Sequence, residues 1–192
     1  VMQLLEGTMN TLGHEMQTAF GYMQAYELYD ATASSSKMPG SYETYLDEYE
    51  APFVYISPVG DLSDLLTAAH EFGHFTDGFV NCNQTDSIDV AEVFSQGLEY
   101  LTLDAADLGV LKRSALRRNK MQDSLMTFLS QACYYDFECR VFALDETELT
   151  REKVNALYYE CNSAYGMTTP GFETYDSQGW IDIQHFFIAP YY

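Results

Sequence analysis

The chain has 192 residues, is 47% hydrophobic with 16 Tyr and 12 Phe, and carries a formal charge of −20. That length and apolar content suit one folded domain with a sizeable core, and they exclude a disordered or low-complexity chain. The negative charge repels phosphate backbones and argues against nucleic-acid binding, while no apolar run approaches the roughly 18 residues that span a bilayer.

In residues 1–31, apolar side chains at Leu5, Met9, Leu12, Met16, Phe20 and Met23 keep the three-four spacing of one buried helix face. His14 falls beside that stripe and reads as an ordinary surface or core histidine. Ser34-Ser35-Ser36 ends the helix, and Pro39-Gly40 marks a turn. Two strand-like runs follow, residues 41–46 and 52–57, and the acidic connection between them predicts a hairpin. Asp61, with Asp64 three residues on, can cap the next helix and complement its dipole. Leu62, Leu65, Leu66, Ala69 and Phe72 form that helix's apolar stripe.

Residues 81–86 are polar and read as a loop. Further helices are expected over residues 88–106 and 111–144, the second with a basic cluster (Lys112, Arg113, Arg117 and Arg118) near its start that reads first as a solvated face and second as a contact to an absent part of the protein. Thr150 is placed to cap another helix that runs to about Tyr165. Residues 166–180 are turn-rich, and 180–192 read as helical again. The expectation is a mainly α fold, a single domain over residues 1–192, with one small antiparallel β-hairpin.

His70-Glu71-Phe72-Gly73-His74 stands in the helix after the hairpin. Residues i and i+4 share a helix face, so both imidazoles can reach one ion. Glu71 lies next to the first ligand, does not bind the ion, and is placed to take a proton from water on it. The plainer alternative is a chance match on an ordinary amphipathic helix. Gly73 costs about 1 kcal/mol in a helix interior, which a close approach by another backbone or a ligand would explain.

A catalytic zinc takes three protein ligands and one open position, so the histidine pair needs a partner. The next helix offers Glu92, Ser95, Gln96 and Glu99 on related faces. Glu92 and Glu99 are two turns apart and share a face, so one could bind the metal while the other orients a ligand imidazole. Spacing alone leaves the choice between them open, and leaves open a merely solvated acidic face.

On these residues the chain resembles the zinc oligopeptidase family of thimet oligopeptidase and oligoendopeptidase F, and most nearly its oligoendopeptidase F-like members. His70-Glu71-Phe72-Gly73-His74 is similar to the family's helix motif, and Glu92-Val93-Phe94-Ser95-Gln96 to its third-ligand segment. Pro39-Gly40-Ser41-Tyr42 with Pro52-Phe53-Val54-Tyr55-Ile56 resembles the hairpin before the zinc helix. Thr127-Phe128 through Phe137-Glu138, then Leu149-Thr150, is similar to the long helix and the start of the next. Trp180-Ile181-Asp182-Ile183-Gln184-His185-Phe186-Phe187, with Pro190-Tyr191-Tyr192, resembles the late His and Tyr segment. The likeness runs from about residue 37 and is weak over residues 1–36.

The resemblance implies a helical zincin-type (gluzincin) metallopeptidase core, the C-terminal portion of a catalytic domain. One Zn2+ per chain would be held by His70, His74 and Glu92. Glu71 would be the general base, and Glu99 would orient a ligand. His185 and Tyr192 would donate to the tetrahedral oxyanion, and Gly40, Tyr42 and Tyr55 would contact substrate. Short peptides are the implied substrates, with the strand at 52–57 pairing with an extended peptide by edge addition. The expected partners are those peptides and a missing N-terminal part of the same protein, with neither nucleic acid nor membrane.

Two features depart from this pattern or limit it. Many members carry a further His one turn after the second ligand, where this chain has Asp77. The chain starts at Val1 and stops at Tyr191-Tyr192 inside an aromatic-rich segment, so a short C-terminal tail is also expected beyond it. The N-terminus has no secretory-signal pattern, and Cys82, Cys133, Cys139 and Cys161 have no paired metal spacing, so a reduced cytoplasmic protein is expected. The rival readings are a peptide-binding or scaffold fragment that keeps the fold without cleaving, and a helical protein whose metal-like residues coincide by chance. The intact Glu71 speaks against the first.

Overall fold

The structure is a computed structural model that describes residues 1–82, 88–183 and 185–188, without the side chains at 88, 89, 185 and 188. Most of the loop expected at 81–86 therefore lies outside the described residues. The chain divides into two compact units, Val1–Arg118 and Asn119–Tyr192.

The first unit opens with two helices, α1 (Met2–Leu12) and α2 (His14–Ala25), where the apolar spacing predicts one. Gly13 separates them at φ 121°, a conformation that breaks the helical ladder and that glycine adopts without steric penalty. The apolar stripe survives the break. Leu5, Met9, Phe20 and Met23 are all buried and pack in one cluster with Val54, Ile56, Leu65, Phe72 and Phe75. His14 is exposed, as an ordinary surface histidine would be.

A three-stranded sheet follows, in the order β1 (Tyr29–Asp30), β3 (Ala51–Tyr55), β2 (Tyr42–Leu46). The antiparallel β2–β3 pair is the expected hairpin, in register from Tyr42 opposite Tyr55 to Leu46 opposite Ala51. Its connection is a 3-10 turn, Asp47–Tyr49. The short parallel strand β1 falls where a helix was expected. Its carbonyls flank β3, Leu28 accepting from the Val54 amide at 3.1 Å and Asp30 from the Ile56 amide at 2.8 Å. This corrects the edge-addition expectation for residues 52–57, because β3 is the central strand with a neighbour on each side. Lys37 secures this corner, donating to the carbonyls of Asp30 and Ile56 and lying over the Tyr55 ring.

The helix α3 (Asp64–Asn81) packs on this sheet and on α4 (Ile88–Ala105). The expected cap by Asp61 is not made: Ser63 holds the N-cap position without a side-chain cap bond. Asp61 accepts from the Ser63 amide at 2.7 Å, and Asp64 accepts from the amides of Val59 and Gly60, so the two acids order the turn that leads into the helix. Phe72 and Phe75 are both fully buried, each worth about 1.5–3 kcal/mol. That outweighs the roughly 1 kcal/mol penalty for glycine at position 73.

The helix α5 (Gly109–Phe142) begins in the first unit and ends in the second. Near its start Arg113 donates to the Ala106 carbonyl at 2.7 Å and Arg117 pairs with Asp104, which ties it to the end of α4. In the second unit α6 (Arg151–Ala164) is capped by Thr150, whose hydroxyl accepts from the Lys153 amide at 3.3 Å. Cys133, Phe137, Val154, Leu157, Tyr158 and Cys161 form its core. Two short helices, α7 (Glu173–Gln178) and α8 (His185–Ile188), complete the described part. No helix among the described residues is long and apolar enough to cross a membrane.

Candidate metal centre

His70 and His74 project from the same side of α3, and their Nε2 atoms lie 3.3 Å apart. Glu92, on the second turn of α4, brings Oε2 to 3.6 Å from His70 Nε2 and Oε1 to 3.9 Å from His74 Nε2. Among the described residues this is the one group of three such side chains, with ligating atoms all within 4.8 Å of one another, that could hold a metal ion. Zinc–nitrogen bonds of about 2.0–2.1 Å place tetrahedral ligands about 3.3–3.4 Å apart. The imidazole separation meets that distance, and small rotations of the Glu92 carboxylate would close the longer edges. The donor set, two neutral imidazoles and one carboxylate, fits a hydrolytic zinc site.

Glu99, one face with Glu92 and two turns on, accepts from His70 Nδ1 at 2.9 Å. With Glu99 as the acceptor, Nδ1 carries the proton and Nε2 is left to face an ion. Glu92 is thus the glutamate within reach of both imidazole Nε2 atoms, and Glu99 the one bonded to His70 Nδ1. Burial pushes the His70 imidazole down, but the Glu99 hydrogen bond and the charges of Glu71, Glu92 and Glu99 together raise it above its ordinary value. His74 is lowered, first by burial and then by repulsion from His70, against the pull of Glu92 and Asp77.

Asp77 stands one turn beyond His74 and is buried, accepting from Asn81 Nδ2 at 2.5 Å. Its carboxyl lies close enough to act electrostatically on the His74 imidazole. Glu71 is only 6% exposed. Loss of water pushes its carboxyl up to about 7, a rise that His70 opposes and that Glu92, Glu43 and Glu99 reinforce. Glu43 carries no local mark of this role in the sequence, because only the packing of β2 on α3 brings it near.

The helices α3 and α4 cross at Gly73. A Cβ built there would sit 2.5 Å from Ser95 Cα, 2.7 Å from the Phe94 carbonyl oxygen and 2.8 Å from the Ser95 amide nitrogen. The close backbone approach expected from a mid-helix glycine is therefore made by α4, the helix that carries Glu92.

Tyr42 and Tyr55 face each other across the hairpin with rings stacked at 5.0 Å, and the Tyr55 hydroxyl donates to the Met38 carbonyl. Gly40 takes φ 96° in the turn before β2, a conformation that favours glycine. These three residues form one corner of the sheet. His185 opens α8 with its side chain outside the described residues, and Tyr192 lies outside them altogether.

The sequence pattern of peptidase family M3 matches residues 12–192. No curated protein matches the chain. Among solved structures, PZ peptidase A with an inhibitor shares 20% identity over 95% of this chain, with a TM-score of 0.80. A protein described as oligoendopeptidase F shares 22% over 94%, TM-score 0.76, and another from Bacillus anthracis str. Ames shares 17% over 94%, TM-score 0.73. In each case the match covers 34% of the other protein, so this chain spans about a third of their length. The helical fold with its small sheet is the one these peptidases have. With the family pattern covering nearly the whole chain, and with a His70–His74–Glu92 group that can hold a metal, the chain belongs to peptidase family M3.

Proposed function

We propose that the chain carries the zinc-binding and proton-transferring machinery of a metalloendopeptidase that hydrolyses short peptides. The observation that carries this reading is the convergence of His70, His74 and Glu92 from two helices, with the buried Glu71 carboxyl beside the first ligand. His70, His74 and Glu92 would hold the ion. When bound, Zn2+ supplies Lewis acidity toward the scissile carbonyl and makes water acidic enough to attack near neutral pH.

Every other step belongs to the protein. Glu99 keeps the His70 proton on Nδ1 and the ring aimed at the site. The Glu71 carboxylate takes the proton of the attacking water and returns it to the leaving amine. A carboxyl raised toward 7 suits a group that must both accept and release a proton at neutral pH. Short peptides are favoured as substrates by the family resemblance and by the likeness to structures described as oligoendopeptidase F.

The test measures zinc content and cleavage of a short internally quenched peptide, with and without a chelator. The chain should hold one Zn2+ and lose cleavage on chelation. Glu71→Gln should keep the zinc and lose at least about 100-fold in rate, the lower range for a positioned general base. Undiminished cleavage by Glu71→Gln would refute the assigned base. Zinc bound by a chain that never cleaves would favour the peptide-binding alternative.

A further inference from the structure

Ser95 is fully buried where α4 crosses α3, yet its side chain is not apolar. Its hydroxyl donates to Glu92 Oε2 at 2.7 Å and lies 3.2 Å from the Glu92 carbonyl oxygen. A buried helical serine ordinarily returns its proton to a carbonyl three or four residues back. Here the carboxylate is the nearer acceptor, and a hydroxyl bound to a charged carboxylate forms the stronger bond. Packing alone does not ask for this oxygen. The crossing at Gly73 requires a small residue, and alanine would fill that role as well.

Glu92 needs such a restraint. Its side chain is 34% exposed, and glutamate has more rotamer freedom to lose on being fixed than most residues. His70 already has a partner that fixes its ring, the Glu99 carboxylate. Ser95 supplies the equivalent for the carboxylate ligand, binding one oxygen while Oε1 faces His74.

We propose that Ser95 is a positioning residue for the metal, its hydroxyl holding the Glu92 carboxylate in the rotamer that faces both imidazoles. The third ligand is then in place before the ion arrives. This inference rests on reading His70, His74 and Glu92 as the ligands. Removal of an outer partner of a ligand typically weakens metal affinity about 10–100-fold.

The experiment compares the full chain with Ser95→Ala and Glu92→Gln. Zn2+ affinity is read by competition with a chromogenic chelator, the visible spectrum is taken after Co2+ loading, and melting is followed without metal. Wild type should bind one Zn2+ and Glu92→Gln should lose it. Ser95→Ala should bind about 10–100-fold more weakly and show an altered Co2+ spectrum, with metal-free melting unchanged. Wild-type affinity and spectrum in Ser95→Ala, while Glu92→Gln loses metal, overturn the role of Ser95 and leave the ligand set standing. Lower melting of Ser95→Ala with an unaltered Co2+ spectrum assigns Ser95 to packing and overturns the proposal as well. A wild-type chain that takes up no zinc, or a Glu92→Gln chain that keeps it, removes the ligand reading itself.

Discussion

The helices α3 and α4 meet to form the His70–His74–Glu92 group, but they are embedded to different degrees. Twelve of the eighteen residues of α3 are buried, among them Glu71, Phe72, Gly73, Phe75, Thr76 and Asp77. In α4 a narrow stripe is buried, made by Ser95, Leu98, Glu99, Thr102 and Leu103, while Val93, Phe94, Tyr100 and Leu101 face outward. The pair of imidazoles therefore sits on the element with packing on most sides, and Glu92 on the one with packing along one edge. Such a site depends less on either helix than on their crossing. Changes on α3 should be expensive, and changes on the outer face of α4 should be cheap.

Gly73→Ala should show the largest effect. Alanine is favoured over glycine in a helix interior by about 0.5–1 kcal/mol, so the intrinsic preference points toward stabilisation. The added carbon would meet Ser95 Cα at 2.5 Å, far inside the roughly 3.5–4.0 Å of ordinary carbon contact. The obstacles are backbone atoms, which cannot swing aside as a side chain can. Overpacking typically costs about 1–3 kcal/mol, and the net loss here should reach about 3 kcal/mol or more. Moving α4 away also carries Glu92 from the imidazoles. Denaturant midpoints of the metal-free chain and zinc content of the loaded chain check this. A variant as stable as wild type, with one zinc, would mean the crossing is looser than it looks.

A comparable but pH-dependent penalty attaches to Glu71. Its ordinary value is 4.5 and its folded value about 7. Below pH 4.5 both folded and unfolded chains hold the proton, so Glu71 neither adds to nor subtracts from stability. As pH rises through this window the unfolded chain releases its proton first, so the folded state loses ground. Above about 7 the loss is complete, at most about 3 kcal/mol by linkage. Glu71→Gln stays neutral and escapes it. Without metal, wild type should therefore fall behind Glu71→Gln between pH 5 and 8 by roughly 5–10 °C in melting temperature. Parallel melting curves across that range would show that the buried carboxyl is not held protonated.

The contrast between the helices also explains what the amino-acid order reveals. The motif on α3 is local, since a four-residue spacing and an apolar stripe define both its face and its burial. Thr150 and the 42–55 hairpin are legible for the same reason, because their signals lie within a few residues of the structure they specify. Glu92 is not local. Its spacing from His74 leaves Glu99 an equal candidate, and only the packing of α4 on α3 puts Glu92 near both Nε2 atoms and Glu99 on Nδ1 of His70. Gly13 breaks a helix whose apolar period continues through it, so the period conceals the break. The two-residue strand β1 exists because β3, more than twenty residues later, supplies its partner, and nothing in Tyr29–Asp30 announces that. Glu43 reaches the neighbourhood of Glu71 in the same way, through packing.

The smallest effect, and one of opposite sign, is expected at Gly97. It lies one turn from Phe94 on α4, at ordinary helical φ, and a Cβ built there meets nothing within 4 Å. Gly97→Ala therefore keeps the helical preference that Gly73→Ala would forfeit to its clash. The gain should be about 0.5–1 kcal/mol, mostly through reduced freedom of the unfolded chain. Zinc affinity should stay at the wild-type level, because the crossing at Gly73 is not disturbed. Measured together, the two substitutions hold the chemistry constant, one methyl group on a helical glycine in each case. Only the surroundings differ. A destabilised Gly97→Ala chain would mean that the outer face of α4 has no more slack than the crossing at Gly73.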